Sequence, residues 1–542
     1  MPTYSRIEEE LGAIESWTLG SVLRRRAALH GNRHFLASVA DQRRFTYDGF
    51  DRCTTQLALE LQTAGIGAGQ HVAILAHNSV EMLATYFALG KLGAVSVPIN
   101  TAAVGALLRY YIGFADCTTL VLQDAHCEVI AAIAPELPLL ERVVVLGDLA
   151  RARAALAGTA LQVLPFPALD PGSNATMPDD VQFRDLAMLL YTSGTTGPSK
   201  AIMVTHASAC HWGAHGAEFR ALQEGDVDYV YLPLFHGNAM LIAVMAALMF
   251  GSSIALAEKL SVSRFWDQVR DSGATRFNMI GVVAKYLWSQ PPSPRDREHK
   301  VRYCWVTPAP PFLQAFEQRF NMRALGGYGL TDYCIATSLL PRHAPDKSFT
   351  SGSIREGVQL RIVDDRDDDV EPQAVGEIVL RSDFPWGTPP GYYKMPQETL
   401  ASRRNLWFHT GDLGFLDAEG FLHFVDRKKD AIRRRGENIS AFEVETVLAS
   451  HPDVEAAAVY GVASADTEEE VAATVQVKPG CRVGEAELAA FCQRNMSAFM
   501  VPRYIELVDT MPLTGSQKIE KYKLKERAQR ELARFWDRVA PA

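Results

Sequence analysis

A strand–helix–strand pattern near the start of the chain limits its fold more than any other feature. His71–Leu75 is a short apolar run and residues 95–99 are another. Between them Val80–Leu92 carries a helical pattern. Two strands joined through a helix lie parallel, and a parallel sheet must be covered by helices. The preceding stretch agrees. Phe50, Cys53, Leu57, Leu61 and Ala64 recur at helical spacing, and Gly65-Ile66-Gly67 breaks the helix. Further strands are expected at 118–123, 142–147, 186–191, 229–234, 252–257 and 276–280. The expected class is α/β: a large N-terminal domain of parallel-type sheets with helices, plus a small antiparallel barrel-like part and a small mobile α+β C-terminal domain.

Chain length supports the division, since 542 residues exceed the roughly 250–300 that one core serves. After about residue 350 the texture changes. Residues 358–363 and 376–380 alternate as antiparallel strands do, with an acidic turn at 364–371 between them. A charge cluster, Asp426-Arg427-Lys428-Lys429-Asp430, then precedes a fresh apolar pattern that includes 456–460 and 471–477. The boundaries read as 1–426 for the first domain, 427–430 for a hinge and 431–542 for the second. A short polar connector is where domains separate.

Composition excludes several classes. A net charge of −9 without clustered basic residues argues against nucleic acid as a partner. The longest apolar run, 239–250, falls short of the roughly 18 residues that span a bilayer, and reads as a buried helix. The acidic N-terminus lacks the apolar region of a secretory signal. Eight scattered cysteines with no Cys-x-x-Cys pair fit a reducing cytoplasm. The sequence leaves a homo-oligomer open.

One loop carries chemistry. Tyr191-Thr192-Ser193-Gly194-Thr195-Thr196-Gly197-Pro198-Ser199-Lys200 follows a buried strand and combines five Ser/Thr hydroxyls, two glycines and a terminal lysine. Gly194 and Gly197 let backbone N–H groups turn toward an anion, and the hydroxyls add donors. This suits a triphosphate, although the spacing is neither Walker A nor G-x-G-x-x-G. The plain alternative is a flexible polar loop.

The loop resembles the signature of the adenylate-forming superfamily of acyl-CoA synthetases, luciferase-like enzymes and peptide-synthetase adenylation domains. Seven further segments follow in that family's order. Leu232-Pro233-Leu234-Phe235-His236-Gly237-Asn238 resembles the gate of the acyl site. Val306-Thr307-Pro308-Ala309-Pro310 stands at the adenine segment, departing from it by its prolines. Gly326-Gly327-Tyr328-Gly329-Leu330-Thr331-Asp332 resembles Y-G-x-T-E with Asp for Glu. Trp407 to Asp412 matches W-x-x-T-G-D. Val425 to Asp430 matches the hinge. Arg435 to Ser440 matches the thiol-step segment. Pro512 to Ile519 resembles P-x-T-x-x-G-K-I, with Gln517 for Gly. Taken singly, His236 reads also as a capping histidine, Asp412 as a turn aspartate and Lys518 as a surface lysine. The stretch 491–502 and Arg434 to Asn438 are similar to crotonobetaine/carnitine-CoA ligases and bile-acid-CoA ligases.

The resemblance implies a reaction and a set of roles. A carboxylic acid and ATP give acyl-adenylate and pyrophosphate, and coenzyme A then takes the acyl group. Lys518, Lys200 and His236 are the catalytic candidates. Thr192, Ser193, Gly194, Thr195, Thr196, Gly197, Tyr328, Gly329, Thr331, Asp412 and Arg427 join Lys200 in holding nucleotide. Asp332 and Thr196 are the Mg²⁺ candidates, Lys429 the pivot, and Gly436 and Glu437 the coenzyme A contacts. His236, Asn238, Ala239 and Gly281 are the acyl-pocket candidates, the small Gly281 leaving room for a bulky acid. Two alternatives stay open: an amine or carrier-protein acceptor, and a nucleotide-binding homologue without turnover.

Overall fold

The computed structural model describes residues 3–192, 199–428, 432–434, 437–439, 441–463, 469–496, 498, 500–513 and 518–539. They form two compact units. One comprises the chain up to 192 together with 199–359 and 381–403. The other comprises 360–380 and the chain from 404 onward.

The first unit contains two seven-stranded sheets. One runs, edge to edge, Gln162–Pro165, Arg142–Leu146, Thr119–Gln123, His71–Leu75, Val95–Pro98, Leu186–Tyr191 and Ala201–Thr205. Its strands are parallel except the last, which pairs antiparallel with Leu186–Tyr191. The other runs Arg323–Leu325, Tyr303–Thr307, Arg276–Ile280, Val227–Val230, Ser253–Leu256, His34–Ser38 and Arg44–Thr46, parallel except at the final pair. The strands expected at 71–75, 186–191 and 276–280 have those bounds.

One expectation needs correction and another gains detail. The strand expected to reach 234 stops at Val230, because beyond it the Leu232 carbonyl and the Leu234 N–H bond to the Asn78 side chain, and the Leu234 carbonyl to Tyr86, rather than to a strand. The run 239–250 is the buried helix expected, built in two parts. It is a π-helix, Asn238–Val244, followed by the α-helix Met245–Phe250. The Met245 N–H reaches back to the Met240 carbonyl, the longer ring that defines a π turn.

Helix Val80–Leu92 is capped by Ser79, whose side chain accepts the Met82 N–H at 3.0 Å, and ends at left-handed Gly93. All of its residues except Glu81 are buried. Helix His206–Phe219 is equally enclosed, with only Glu218 less than buried. It approaches the Met245 backbone closely enough that a Cβ on Gly213 would stand 2.6 Å from the Met245 carbonyl oxygen, so no larger residue fits there.

In the second unit, Gly376–Ser382, Phe408–Leu416 and Leu422–Arg427 pair antiparallel. The C-terminal part places Val454–Ala463, Glu469–Val477, Tyr504–Val508 and Trp536–Asp537 in a four-stranded sheet. Its core includes Val444, Leu448, Val459, Ala473, Leu488 and Ile505. This is the α+β texture expected of the C-terminal region.

The enclosed helix imposes a pH dependence. Burial lowers His206 to about 4 and His211 to about 3, and drives His215 well down. The Leu19 N–H donates to His206 Nδ1 at 3.2 Å, which requires a neutral ring. Unfolded histidine titrates near 6.5. Stability is therefore intact above that pH and falls as the unfolded chain gains protons that the folded one refuses. His206 and His211 together should steepen the loss by about 2–3 kcal/mol per pH unit between about pH 6 and 4.5. Urea-unfolding midpoints at several pH values measure this slope. Joint His206→Asn and His211→Gln substitution should flatten it, and an unchanged slope would remove these rings as its source.

Candidate active site

The phosphate-loop segment connects the strand Leu186–Tyr191 to its antiparallel neighbour at the sheet edge, Ala201–Thr205. Its base is closed by the Thr192 N–H to the Lys200 carbonyl, 3.0 Å. Thr192 and Lys200 are therefore neighbours at the root of a hairpin. The returning limb is held from a helix, because Tyr110 Oη donates to the Ser199 carbonyl at 2.9 Å. Ser193, Gly194, Thr195, Thr196 and Gly197 lie outside the described residues.

Lys200 stands over a ring that sequence reasoning missed. Its Nζ lies 4.4 Å from the centroid of Tyr392. The Tyr392 hydroxyl donates to Asp332 Oδ2 at 2.5 Å. Burial, and then the neighbouring carboxylate, push the Tyr392 phenol far up, so it remains a protonated donor. Met203 N–H to Gly391 carbonyl and Tyr393 N–H to Ala201 carbonyl, 2.9 and 2.8 Å, hold the tyrosine's segment along the free edge of Ala201–Thr205. The signal in the sequence was Pro389-Pro390-Gly391-Tyr392-Tyr393: an extended turn followed by paired aromatics.

Asp332 sits in the turn after Gly327–Leu330, which the Tyr333 N–H to Leu330 carbonyl closes at 3.1 Å. That strand pairs with Cys334–Ser338 through a register shift between Tyr328 and Gly329. A Cβ on Gly329 would come 2.6 Å from both the Cys334 carbonyl oxygen and Ile335 Cα, so this tight turn demands glycine. Tyr328 is buried, and its N–H donates to Thr337 Oγ1. Thr307 Oγ1 donates to the Gly327 carbonyl at 3.2 Å, which joins the Thr307-Pro308 segment to the same strand.

The His236 segment converges on this turn. A Cβ on Gly237 would lie 3.9 Å from Thr331 Cγ2. Asn238, first in the π-helix, accepts from Asn278 Nδ2 at 2.7 Å through its side-chain oxygen. Ala239 is buried. Gly281 opens the helix Gly281–Trp288, where an added Cβ would meet the Pro308 carbonyl at an ordinary 3.5 Å. Ile280 and Val282 beside it are exposed apolar residues.

A second residue missed in the sequence holds the His236 segment. Asn78 Nδ2 donates to the Leu232 and Ala257 carbonyls at 2.9 and 3.1 Å, and its Oδ1 accepts the Leu234 N–H at 2.8 Å. Tyr86 Oη adds a bond to the Leu234 carbonyl at 2.9 Å. The chain leaving one sheet is thereby tied to the helix that leaves the other. A lone Asn after an apolar strand gave little signal, since helix starts commonly carry such residues.

In the second unit, buried Asp412 lies 3.5 Å from the Arg427 guanidinium. Its N–H donates to Thr410 Oγ1, and the Gly411 N–H to Glu377 Oε1. Glu377 also binds Lys428 at 2.9 Å. Buried Asp426 accepts the Phe442 N–H at 3.0 Å at the start of helix Ala441–Ala449. Lys518 reaches solvent, yet the protein crowded around it and then the Arg427 charge lower its pKa. Lys429 and Gly436 lie outside the described residues, and Glu437 is described only as part of strand Glu437–Ile439.

Comparison with known proteins places the chain in a family. The AMP-binding enzyme family model covers residues 23–393, and its C-terminal domain model covers residues 443–518. The chain belongs to the AMP-binding enzyme family, the adenylate-forming group that its motifs indicated. It is 31% identical over 518 residues to a crotonobetaine/carnitine–CoA ligase of Citrobacter koseri, an alignment covering 92% of this chain and 97% of that protein. ATP-bound MatB from Rhodopseudomonas palustris has a TM-score of 0.79 and 26% identity, covering 94% of this chain and 99% of MatB. The anthranilate CoA ligase AuaEII, in complex with anthranoyl-AMP, shares the fold at a TM-score of 0.81 and 24% identity, covering 96% of this chain and 98% of its own.

Asn78 supplies the test of this assembly. Asn78→Ala leaves one N–H and two carbonyls without that amide and should lower stability by about 2–4 kcal/mol. Tyr86→Phe removes one bond and should cost about 1 kcal/mol. Urea-unfolding midpoints compare the two, and equal losses would count against the threefold anchor.

Proposed function

We propose that this chain is an AMP-forming acid–thiol ligase whose Lys200 and Asp332 serve the polyphosphate of ATP. A carboxylic acid and ATP give acyl-AMP and pyrophosphate; acyl-AMP and coenzyme A then give acyl-CoA and AMP. The observation that carries the site reading is the Asp332–Tyr392–Lys200 chain of contacts beside the Thr331–Gly237 approach.

The chemistry follows from charge. A carboxylate and a triphosphate repel, so positioning and neutralisation dominate the barrier. Lys200 faces the ring, a weak partner that leaves its N–H groups to phosphate oxygens when they arrive. Thr192, Ser193, Gly194, Thr195, Thr196 and Gly197 complete the phosphate cradle, and Thr331 meets the α-phosphate. Tyr328 and Gly329 border the adenine, while Asp412 and Arg427 take the ribose. Magnesium is commonly held by one or two carboxylates plus substrate phosphates, and Asp332, with Thr196, fits that donor set. The ion neutralises phosphate charge when bound.

The acid enters past His236, with Asn238, Ala239 and Gly281 around it. The exposed apolar residues Ile280 and Val282 favour an acid with an apolar body over a small hydrophilic one. Lys518 bridges carboxylate and α-phosphate in the first step. Rotation about Lys429 then exchanges it for Gly436 and Glu437, beside which the coenzyme A thiol arrives. The domains of this reading are 1–426 and 431–542, with 427–430 between them. Among the described residues no helix is long and apolar enough to cross a membrane, and we place the reaction in the cytoplasm.

Separate assays of the two half-reactions test the scheme. Lys518→Ala should reduce ATP–pyrophosphate exchange at least 100-fold and leave thioester formation from supplied acyl-AMP within about threefold of the parent. Equal loss in both assays would overturn the exchange of Lys518. A panel of acids read by AMP release, with and without coenzyme A, identifies the acid and separates a thiol acceptor from an amine.

A further inference from the structure

We infer that Tyr392 is a positioning residue that sets both the Asp332 carboxylate and the Lys200 ammonium, an inference that rests on the reading of those two residues as nucleotide-site groups. Its hydroxyl occupies Asp332 Oδ2 at 2.5 Å, and its ring face lies 4.4 Å from Lys200 Nζ. One side chain therefore touches a candidate metal ligand with its polar tip and a candidate phosphate ligand with its apolar body.

The two contacts work differently. Residues that hydrogen-bond a ligating carboxylate fix its orientation, and their loss commonly weakens metal binding 10–100-fold. Here the donor engages one oxygen and leaves Oδ1 as the oxygen available to a cation. Asp has one methylene fewer than the Glu of the family motif, so the placement of its carboxylate depends more on such a partner. The ring attracts the ammonium through its quadrupole without taking any N–H donor. Lys200 is thus kept near the loop with its hydrogen-bonding capacity unspent.

Tyr392 is itself firmly mounted. Its neighbours bond along the edge of Ala201–Thr205, and its own N–H donates to Thr399 Oγ1 at 3.0 Å. Tyr393 Oη and Lys394 Nζ both reach Asp116 Oδ2, at 2.8 and 2.5 Å. The backbone carrying the phenol is therefore anchored on both sides.

Manganese binding separates this role from a merely structural one. Free Mn²⁺ is followed by electron paramagnetic resonance while full-length protein is titrated in the presence of a non-hydrolysable ATP analogue. Analogue affinity without metal is measured by calorimetry. Tyr392→Phe should raise the Mn²⁺ dissociation constant about 10–100-fold and leave metal-free analogue affinity within about twofold. Tyr392→Leu should weaken both, because the ring under Lys200 is also lost. Asp332→Asn is the control. If it weakens Mn²⁺ binding and Tyr392→Phe does not, the inference about Tyr392 is wrong and the reading of Asp332 stands. If neither changes Mn²⁺ binding, Asp332 is not the metal ligand and both fall. If Tyr392→Leu binds metal-free analogue as the parent does, the ring does not position Lys200.

Discussion

The side-chain amide of Asn78 is the joint on which the first unit depends. Two parallel sheets each end in loops at the carboxyl edges of their strands, where such folds place their chemistry. Nothing in the ladder of either sheet fixes the loops of one against the other. Asn78 does so with three bonds to backbone: the Leu232 carbonyl and Leu234 N–H, on a stretch that has left its strand and joined no other, and the Ala257 carbonyl at the end of the neighbouring strand. A backbone in that state has polar groups to satisfy, and a primary amide can act as both donor and acceptor. The position of His236, four residues beyond Leu232, follows from this anchorage.

What gathers around the turn at Thr331 is a set of groups drawn from distant stretches of chain. Gly237 approaches it from one sheet and Tyr392 ties Asp332 to the edge of the other. Steric demand is as selective here as charge. Gly329 has no space for a side chain, whereas Gly281 meets only ordinary contact. The first glycine serves the backbone of the turn, and the second leaves room beside Ile280 and Val282.

The sequence made the parallel strands legible because a strand buried on both faces is a continuous apolar run with abrupt ends. Residues 72–75 and Leu186–Tyr191 are such runs. It misled at Leu232, where the apolar pattern continues although the ladder does not, since hydrophobicity records burial and not pairing. The π turn at Asn238 was invisible for a related reason: an all-apolar segment carries no phase from which its period can be read. Among site residues, those in contiguous motifs were legible, and Lys200, Thr331, Asp332 and Asp412 fall within such motifs. Tyr392 and Asn78 act across 60 or more residues, and single tyrosines and asparagines have too many ordinary uses to stand out.

The ring beneath Lys200 has a mechanical meaning. A hydrogen bond or bidentate ion pair is directional and stiffens the group it holds. A cation over an aromatic face rests in a broad basin, with little resistance to sideways drift and no favoured torsion. Tyr392 therefore behaves as a compliant bearing for the ammonium. The charge stays in the neighbourhood while its hydrogens remain able to follow an oxygen whose bond to phosphorus is stretching.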